Sequence, residues 1–318
     1  MADTLALLPP GTDPRFAHDV AEGLASVPRT VPSRWLYDGA GSALFEEITA
    51  LPEYYPTRTE TGLLERHAHE MLDGIGPGPV VVEYGAGASI KTRLVLDAAE
   101  RPALYVPLDV SDAFDAEIDA ALLARHPGLV VRHVAGDFLD PQRLPIEDAA
   151  GARVGLFLGS TIGNLEDDEI LAFLGEARAS LGAGARLIVG VDVRKDRATL
   201  EAAYDDAAGV TARFDLNLLV RMNRELGADF DLDAFAHEAR WNEARSRIEM
   251  HLVARSAQRV SVLGTAHDFA PGDGIRSEIS RKFGPEDLPA LAREAGWRAA
   301  GRWIDPDGLF SLVRLDTA

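Results

Sequence analysis

The chain of 318 residues contains no cysteine, which excludes a disulfide framework and a thiolate zinc site. Basic residues are in short supply too: 32 Lys and Arg stand against 51 Asp and Glu, a formal charge of -19 at pH 7. A surface of that sign repels phosphate backbones and anionic lipid, so neither nucleic acid nor a membrane is expected as a partner. A solubilising coat is enough to account for the charge. Nowhere do about 18 apolar residues run together, the length a membrane span needs. The opening MADTLALLPP has neither a basic segment nor a long apolar core, so no signal peptide is read from it. Repeats, low-complexity tracts and Ser/Gly linkers are also missing. What remains, with 47% hydrophobic residues, is expected to be a cytoplasmic, globular monomer with a full core and one large domain or two ordinary ones.

From Val80 onward, short apolar runs alternate with helical patterns. The runs are PVVVEYG, ALYVPLDV, LVVRHVAGDF, RVGLFLGS and RLIVGVDV, separated by IKTRLVLDAA, SDAFDAEIDAALLARH and DDEILAFLGEARASL. Near-continuous β-branched strands between amphipathic helices predict a parallel sheet covered on both faces, a doubly wound α/β domain. The first 60 residues read as helical and turn-like, with Thr57-x-x-Glu60 after Pro56 as a capping box for the helix that leads into the sheet. Beyond Lys195 come more helical segments, and then RIEMHLVAR and QRVSVLG, whose alternation predicts a hairpin. The tail from Arg281 reads as a last helix and two strands returning to the sheet. The expected division is 61–195 plus 284–318 for the sheet domain, and 1–60 plus 196–283 for a second, smaller α+β domain.

The turn Gly85-Ala-Gly-Ala-Ser-Ile-Lys91 decides between ligands. A P-loop needs G-x-x-x-x-G-K-[ST] so that backbone N–H groups curl around phosphates, and Ile90 stands where its second glycine belongs. A dinucleotide turn needs G-x-G-x-x-G around a pyrophosphate, and Ile90 again takes the last glycine's place. An acidic strand end, Glu83, then Gly85-x-Gly87 and a helix remain, followed by Asp109 at the next strand end, where a carboxylate can accept two ribose hydroxyls. That pattern suits an adenosine without phosphates. Two further strand ends carry polar groups: Gly136-Asp137-Phe138, an acid and an aromatic able to bind and stack an adenine, and Leu158-Gly-Ser-Thr-Ile-Gly-Asn164. In open α/β sheets ligands sit at the carboxyl ends of strands.

Across nearly its whole length the sequence resembles the L-histidine Nα-methyltransferases of ergothioneine biosynthesis, which use S-adenosylmethionine. The resemblance is carried by Tyr37-Asp-Gly-Ala-Gly-Ser42, Leu51-Pro-Glu-Tyr-Tyr-Pro-Thr-Arg58, Glu83-Tyr-Gly-Ala-Gly-Ala-Ser-Ile-Lys-Thr92, Gly136-Asp-Phe138 and Leu158-Gly-Ser-Thr-Ile-Gly-Asn-Leu165. Ala203-Tyr-Asp-Asp206, Arg240-Trp-Asn242, Ile248-Glu-Met250 and Ser277-Glu-Ile-Ser280 extend it. It implies a Rossmann-like methyltransferase domain plus a substrate-binding domain built from the N-terminal segment and an insertion. It also implies that S-adenosylmethionine lies near Tyr37, Gly85, Lys91, Asp109, Asp137 and Phe138. The amino acid is implied near Tyr54, Gly159, Thr161, Asn164, Tyr204, Met250, Glu278 and Ser280. Tyr84, Ala86, Ala88 and Ile90 vary the glycine turn where side chains matter least.

Plainer readings exist for each residue. Tyr54-Tyr55-Pro56 alone would be a packed turn, Tyr204 a core tyrosine, Met250 a core filler, and Glu278 with Ser280 a solvated strand face. His67-x-His69 hints at a metal, but residues two apart on a helix do not share a face, and no metal is expected. Glu166-Asp-Asp-Glu169 reads as the acidic start of a helix.

Methyl transfer from a sulfonium to an amine is an in-line displacement, so the protein must align the atoms and present a neutral amine. A free α-amine is largely protonated near neutral pH. Its proton must leave first, to water held by Tyr37, Tyr54 or Asn164; the sequence does not choose among them. The family implies three successive methylations to hercynine, the trimethylated betaine. The alternatives are an N-methyltransferase of tryptophan-type amino acids, a nicotinamide-dependent oxidoreductase, which leaves Ile90 and the second domain unexplained, and a non-catalytic adenosylmethionine-binding module.

Overall fold

The computed structural model describes residues 11–87, 90–110, 116–141 and 143–317. Ala88 and Ser89 of the glycine turn, and the start of the predicted helix after Asp109, lie outside them. In chain order the strands are β1 (Arg29–Thr30), β2 (Val80–Tyr84), β3 (Leu104–Asp109), β4 (Val130–Val131), β5 (Val134–Ala135), β6 (Arg153–Phe157) and β7 (Arg186–Asp192). They continue as β8 (Phe235–Asn242), β9 (Arg247–Ala254), β10 (Gln258–Val262), β11 (Thr265–Phe269), β12 (Gly274–Arg281), β13 (Trp297–Ile304) and β14 (Phe310–Thr317). The chain divides into two compact units, Met1–Tyr55 with Lys195–Ser280, and Pro56–Arg194 with Arg281–Ala318.

The second of these holds an eight-stranded sheet in the order β13-β14-β7-β6-β2-β3-β4, with β5 beside β3. The pairs β2/β3, β2/β6 and β6/β7 are parallel. Strand β14 runs antiparallel to β7, and β13 antiparallel to β14, so the tail does return to the sheet. All of β2 is buried, because alternate residues feed two different cores. Val80 and Val82 pack with Phe173 of the helix Asp167–Leu181 on one face. Val81 packs with Leu63, Leu64 and Val95 from the helices Tyr55–Met71 and Ile90–Ala98 on the other. Burial on both faces explains why these strands read as unbroken apolar runs. From β2 the chain winds outward to β3 and β4 and then returns to β6 on the other side of β2. This reversal opens a crevice at the carboxyl ends of β2 and β6.

The first unit holds the sheet β1-β12-β9-β8 and a separate hairpin, β10-β11. The helix Val210–Leu226 buries Val210, Phe214, Leu218 and Met222, a 4-4-4 spacing on one face, and packs on β8 and β9. The predicted hairpin of RIEMHLVAR with QRVSVLG does not form. RIEMHLVAR pairs with β8, and QRVSVLG with β11. Leu263 and Gly264, at φ of 51° and 76°, make the two-residue turn with left-handed backbone that fits hairpin twist; a leucine in the first place disguises it.

The capping box at Thr57 and Glu60 is also absent. The helix begins at Tyr55, two residues before Thr57. A capping box does open the helix Asp167–Leu181, where Glu166 and Glu169 exchange bonds with each other's backbone N–H. Among the described residues no helix is long and apolar enough to cross a membrane.

Candidate active site

In the sheet unit, β2 is followed by Gly85 at φ +74° and Gly87 at φ +49°, a left-handed backbone that glycine adopts without steric cost. The Gly87 N–H donates to Asp109 Oδ2 at 3.1 Å. The carboxylate at the end of β3 is thereby aimed along the turn. Beneath it, Glu83 is buried and accepts from the Tyr105 hydroxyl at 2.5 Å. Burial pushes the Glu83 carboxyl up to about 7; the Tyr105 bond and the Lys91 ammonium pull the other way, and the nearby Asp109 charge adds to the rise. Farther along the sheet, Asp137 is 7% exposed and accepts the Leu139 N–H at 2.9 Å. Partly buried Phe138 packs edge-on against Phe157 and Phe173, with ring centroids at 5.0 and 5.7 Å.

The residue that ties this crevice together is Glu60, which is fully buried. Its Oε2 accepts from Lys91 Nζ at 2.6 Å, and both its oxygens face the Gly159 N–H, at 3.0 and 2.8 Å. One carboxylate therefore holds the first turn of the helix after β2 and the turn after β6. Gly190 on β7 makes room for it: a Cβ there would lie 1.9 Å from Glu60 Oε1. The sequence does carry a signal, a Glu on the helix entering the sheet, but helix-start chemistry offers a nearer explanation for it.

After Gly159 at φ +77° comes Ser160, itself left-handed at φ 57°. The Ser160 hydroxyl accepts the Asp192 N–H at 2.9 Å, which holds this costly conformation. Thr161 donates to the Leu158 carbonyl at 2.9 Å, and Asn164 closes the short 3-10 turn Thr161–Asn164. Behind this loop Lys282 and Asp192, neither exposed at all, pair at 2.8 Å.

The first unit gathers a different set. Tyr37 meets Phe45 and Phe214 edge-on, at 5.4 and 5.3 Å between centroids. Tyr54 stands 6.0 Å from Phe45 and 6.1 Å from Tyr204. The Tyr204 hydroxyl shares a 2.7 Å hydrogen bond with Ser280 Oγ. On the same strand Glu278, two residues earlier and so on the same face, is 9% exposed, and Met250 on neighbouring β9 is 2% exposed. Four residues implied by the family thus converge from segments far apart in sequence, Tyr37, Tyr54, Tyr204 and Ser280, and Glu278 shares the strand face of Ser280. Tyr37, which the resemblance implies near the cofactor, packs within this aromatic group.

Sequence reasoning passes over two buried groups here. Asp206, 5% exposed, accepts the N–H of Val210 and of Thr211 at 2.9 and 2.7 Å, which satisfies the start of the helix Val210–Leu226. Asp215 and His237 pair at 2.7 Å with side chains 0% and 1% exposed. His67, by contrast, reaches Glu70 at 3.3 Å and the Trp303 ring. No group of His, Asp and Glu among the described residues could hold a metal ion.

Comparison with known proteins adds to this geometry. Residues 16–317 match the family model of histidine-specific, S-adenosylmethionine-dependent methyltransferases. A histidine N-alpha-methyltransferase of Mycolicibacterium smegmatis is 46% identical over 299 residues, covering 92% of each chain. Its namesake in Mycobacterium tuberculosis is 42% identical with the same coverage. An ergothioneine biosynthesis protein 1 of Neurospora crassa is 28% identical over 296 residues, 87% of this chain and 32% of that longer one.

Proposed function

The chain belongs to the histidine-specific, S-adenosylmethionine-dependent methyltransferases, and from that premise we propose that it methylates the α-amine of L-histidine three times, giving hercynine for ergothioneine biosynthesis. The observation that carries the cofactor half is the Asp109 carboxylate bonded to the Gly87 N–H at the reversal of the sheet. A carboxylate there suits a ribose diol, and the turn that carries it has Ile90 where a dinucleotide's pyrophosphate needs a third glycine. The residues present fit the group. In this reading Gly85, Lys91, Asp109, Asp137 and Phe138 hold S-adenosylmethionine, together with Tyr37.

Bound S-adenosylmethionine supplies a methyl group activated by the sulfonium. The chain's own work is then positional. Tyr54, Tyr204, Asn164, Thr161 and the Gly159 turn are assigned to the amino and carboxylate ends of the amino acid, and Glu278 with Ser280 to its imidazole, with Met250 as an apolar wall. Asn164 and the two tyrosines Tyr37 and Tyr54 are the groups able to hold the water that takes the amine proton, leaving the nitrogen lone pair to attack as the carbon–sulfur bond breaks. Glu278 and Ser280 support histidine over tryptophan, since an indole has a single N–H and would leave the carboxylate desolvated against carbon. A monomer acting in the cytoplasm completes the proposal; size-exclusion chromatography tests the first part.

The deciding measurement is mass spectrometry of the purified protein with S-adenosylmethionine and a panel of amino acids. Expected is the successive appearance of mono-, di- and trimethylated L-histidine. Equal or faster methylation of L-tryptophan would overturn the substrate assignment, and binding of S-adenosylmethionine with no turnover of any amino acid would overturn the catalytic one.

A further inference from the structure

His237 lies on β8, and its two ring nitrogens face a carboxylate oxygen and a backbone carbonyl oxygen, both acceptors. Nδ1 is 2.7 Å from Asp215 Oδ2, and Nε2 is 2.8 Å from the backbone carbonyl of Tyr204. A neutral imidazole has one N–H and one lone pair. In either tautomer one nitrogen would set its lone pair against that of an oxygen. Only the imidazolium donates to both.

The surroundings favour that charge. Tyr204 is the last residue of the helix Arg197–Tyr204, where carbonyls lack intrahelical partners and the helix dipole is negative. Asp215 comes from the facing helix Val210–Leu226, Asp205 from the end of the first helix, and the cross-strand neighbour Leu252 carries no charge. Burial works against a cation here; the Asp215 carboxylate, the Tyr204 carbonyl and the Asp205 charge outweigh it and raise the His237 pKa above its ordinary value.

We propose that His237 is a positioning residue, held as an imidazolium, which pins Tyr204 so that its hydroxyl meets Ser280 and the incoming amino acid. The inference rests on the reading that Tyr204 contacts that amino acid. His237 touches no ligand itself. It fixes the backbone from which the Tyr204 ring projects, and the ring reaches Ser280 at one end and packs near Tyr54 on its flank.

Nitrogen-edited NMR of the wild-type protein, with His237 among its eight histidines assigned from His237→Gln, reads the proton state directly. Both ring nitrogens are expected protonated at pH 7; a neutral ring would overturn the inference. In kinetics, His237→Gln should raise the histidine KM by about tenfold, the loss expected of a charge-assisted bond, with kcat and S-adenosylmethionine affinity within about twofold. An unchanged KM would overturn the positioning role. Should that variant fail to fold, Asp215→Asn keeps the shape, removes the counter-charge and should raise the same KM. The sign with pH also follows: a raised folded pKa gives stability that is complete below the ordinary histidine value and lost as pH rises through the raised one. The stability gap between wild type and His237→Gln should therefore shrink at alkaline pH. Tyr204→Phe separates the two ideas, because an unaltered histidine KM there would sink the Tyr204 reading while the NMR result stood.

Discussion

The two units present their candidate ligand groups in opposite ways. In the sheet unit the groups are strand ends and turns: Gly85, Gly87 and Gly159 with left-handed backbone, and carboxylates that bond the N–H groups of those turns. In the other unit they are side-chain tips, the Tyr204 hydroxyl on Ser280 and a ring chain from Tyr37 through Phe45 and Tyr54. Backbone geometry at a strand end is written within a few residues. Side-chain convergence needs the whole unit folded. The first kind of site should break when its buried electrostatic support is removed, and the second when one side chain is cut back.

The largest effect is expected in the sheet unit. Lys91→Met would leave the fully buried Glu60 without its ammonium and should cost roughly 3–5 kcal/mol of stability, the usual loss when one member of a buried pair is removed; Lys91 keeps some exposure to solvent, which favours the lower end. Denaturant unfolding without cofactor measures it, and a change near zero would mean that Glu60 is not the support described. Next is Glu278→Ala in the other unit. Histidine kcat/KM should fall by roughly 2–4 kcal/mol, because an imidazole N–H held in the transition state would then be buried without an acceptor, while stability and S-adenosylmethionine affinity hold. Shortening Met250 in the same protein should improve relative turnover of tryptophan. Untouched histidine kinetics would remove Glu278 from the site.

Asp109→Ala comes third, weakening S-adenosylmethionine by roughly 1.5–3 kcal/mol through the removal of charge-assisted bonds; calorimetry showing equal affinity would refute the ribose role. Read per unit of pH, the smallest effect is a slope. Glu83 keeps its proton in the folded protein up to about 7, whereas an ordinary carboxyl loses it near about 4.3. The folded state thus binds more protons between those values, and stability should fall with rising pH across them by at most about 1.4 kcal/mol per unit. Glu83→Gln should flatten that window. A slope identical in wild type and variant would place the titrating group elsewhere.

Much of the sheet unit is legible in the sequence because its strands are buried on both faces and its turns carry glycine where the backbone is left-handed. Asp109 and Asp137 stand out at strand ends for the same reason, whereas the reversal between β2 and β6 is set by which strands pair in space. Glu60 is misread because a Thr-x-x-Glu pattern has a local explanation, and only the fold shows the carboxylate spanning to Gly159, 99 residues away. In the other unit β8 escapes a reading by pattern. Its residues FAHEARWN alternate weakly between half-buried and exposed, so the hairpin expectation pairs β9 with the wrong neighbour. Tyr54, Tyr204, Glu278 and Ser280 are reached through resemblance, since nothing in their local sequence sets them apart from packing residues.

The sequence by itself determined the alternation that winds the sheet, the acidic turn without a phosphate grip, and motifs ordered along the whole chain. These properties depend on neighbours a few residues apart, where steric and hydrogen-bonding rules act directly. Only the tertiary structure decided which buried charges meet. Glu60 with Lys91 and Gly159, Lys282 with Asp192, and His237 between Asp215 and the Tyr204 carbonyl are each forced by the same physics: a charge taken out of water must find a partner, and the partner comes from whatever segment the fold brings to it.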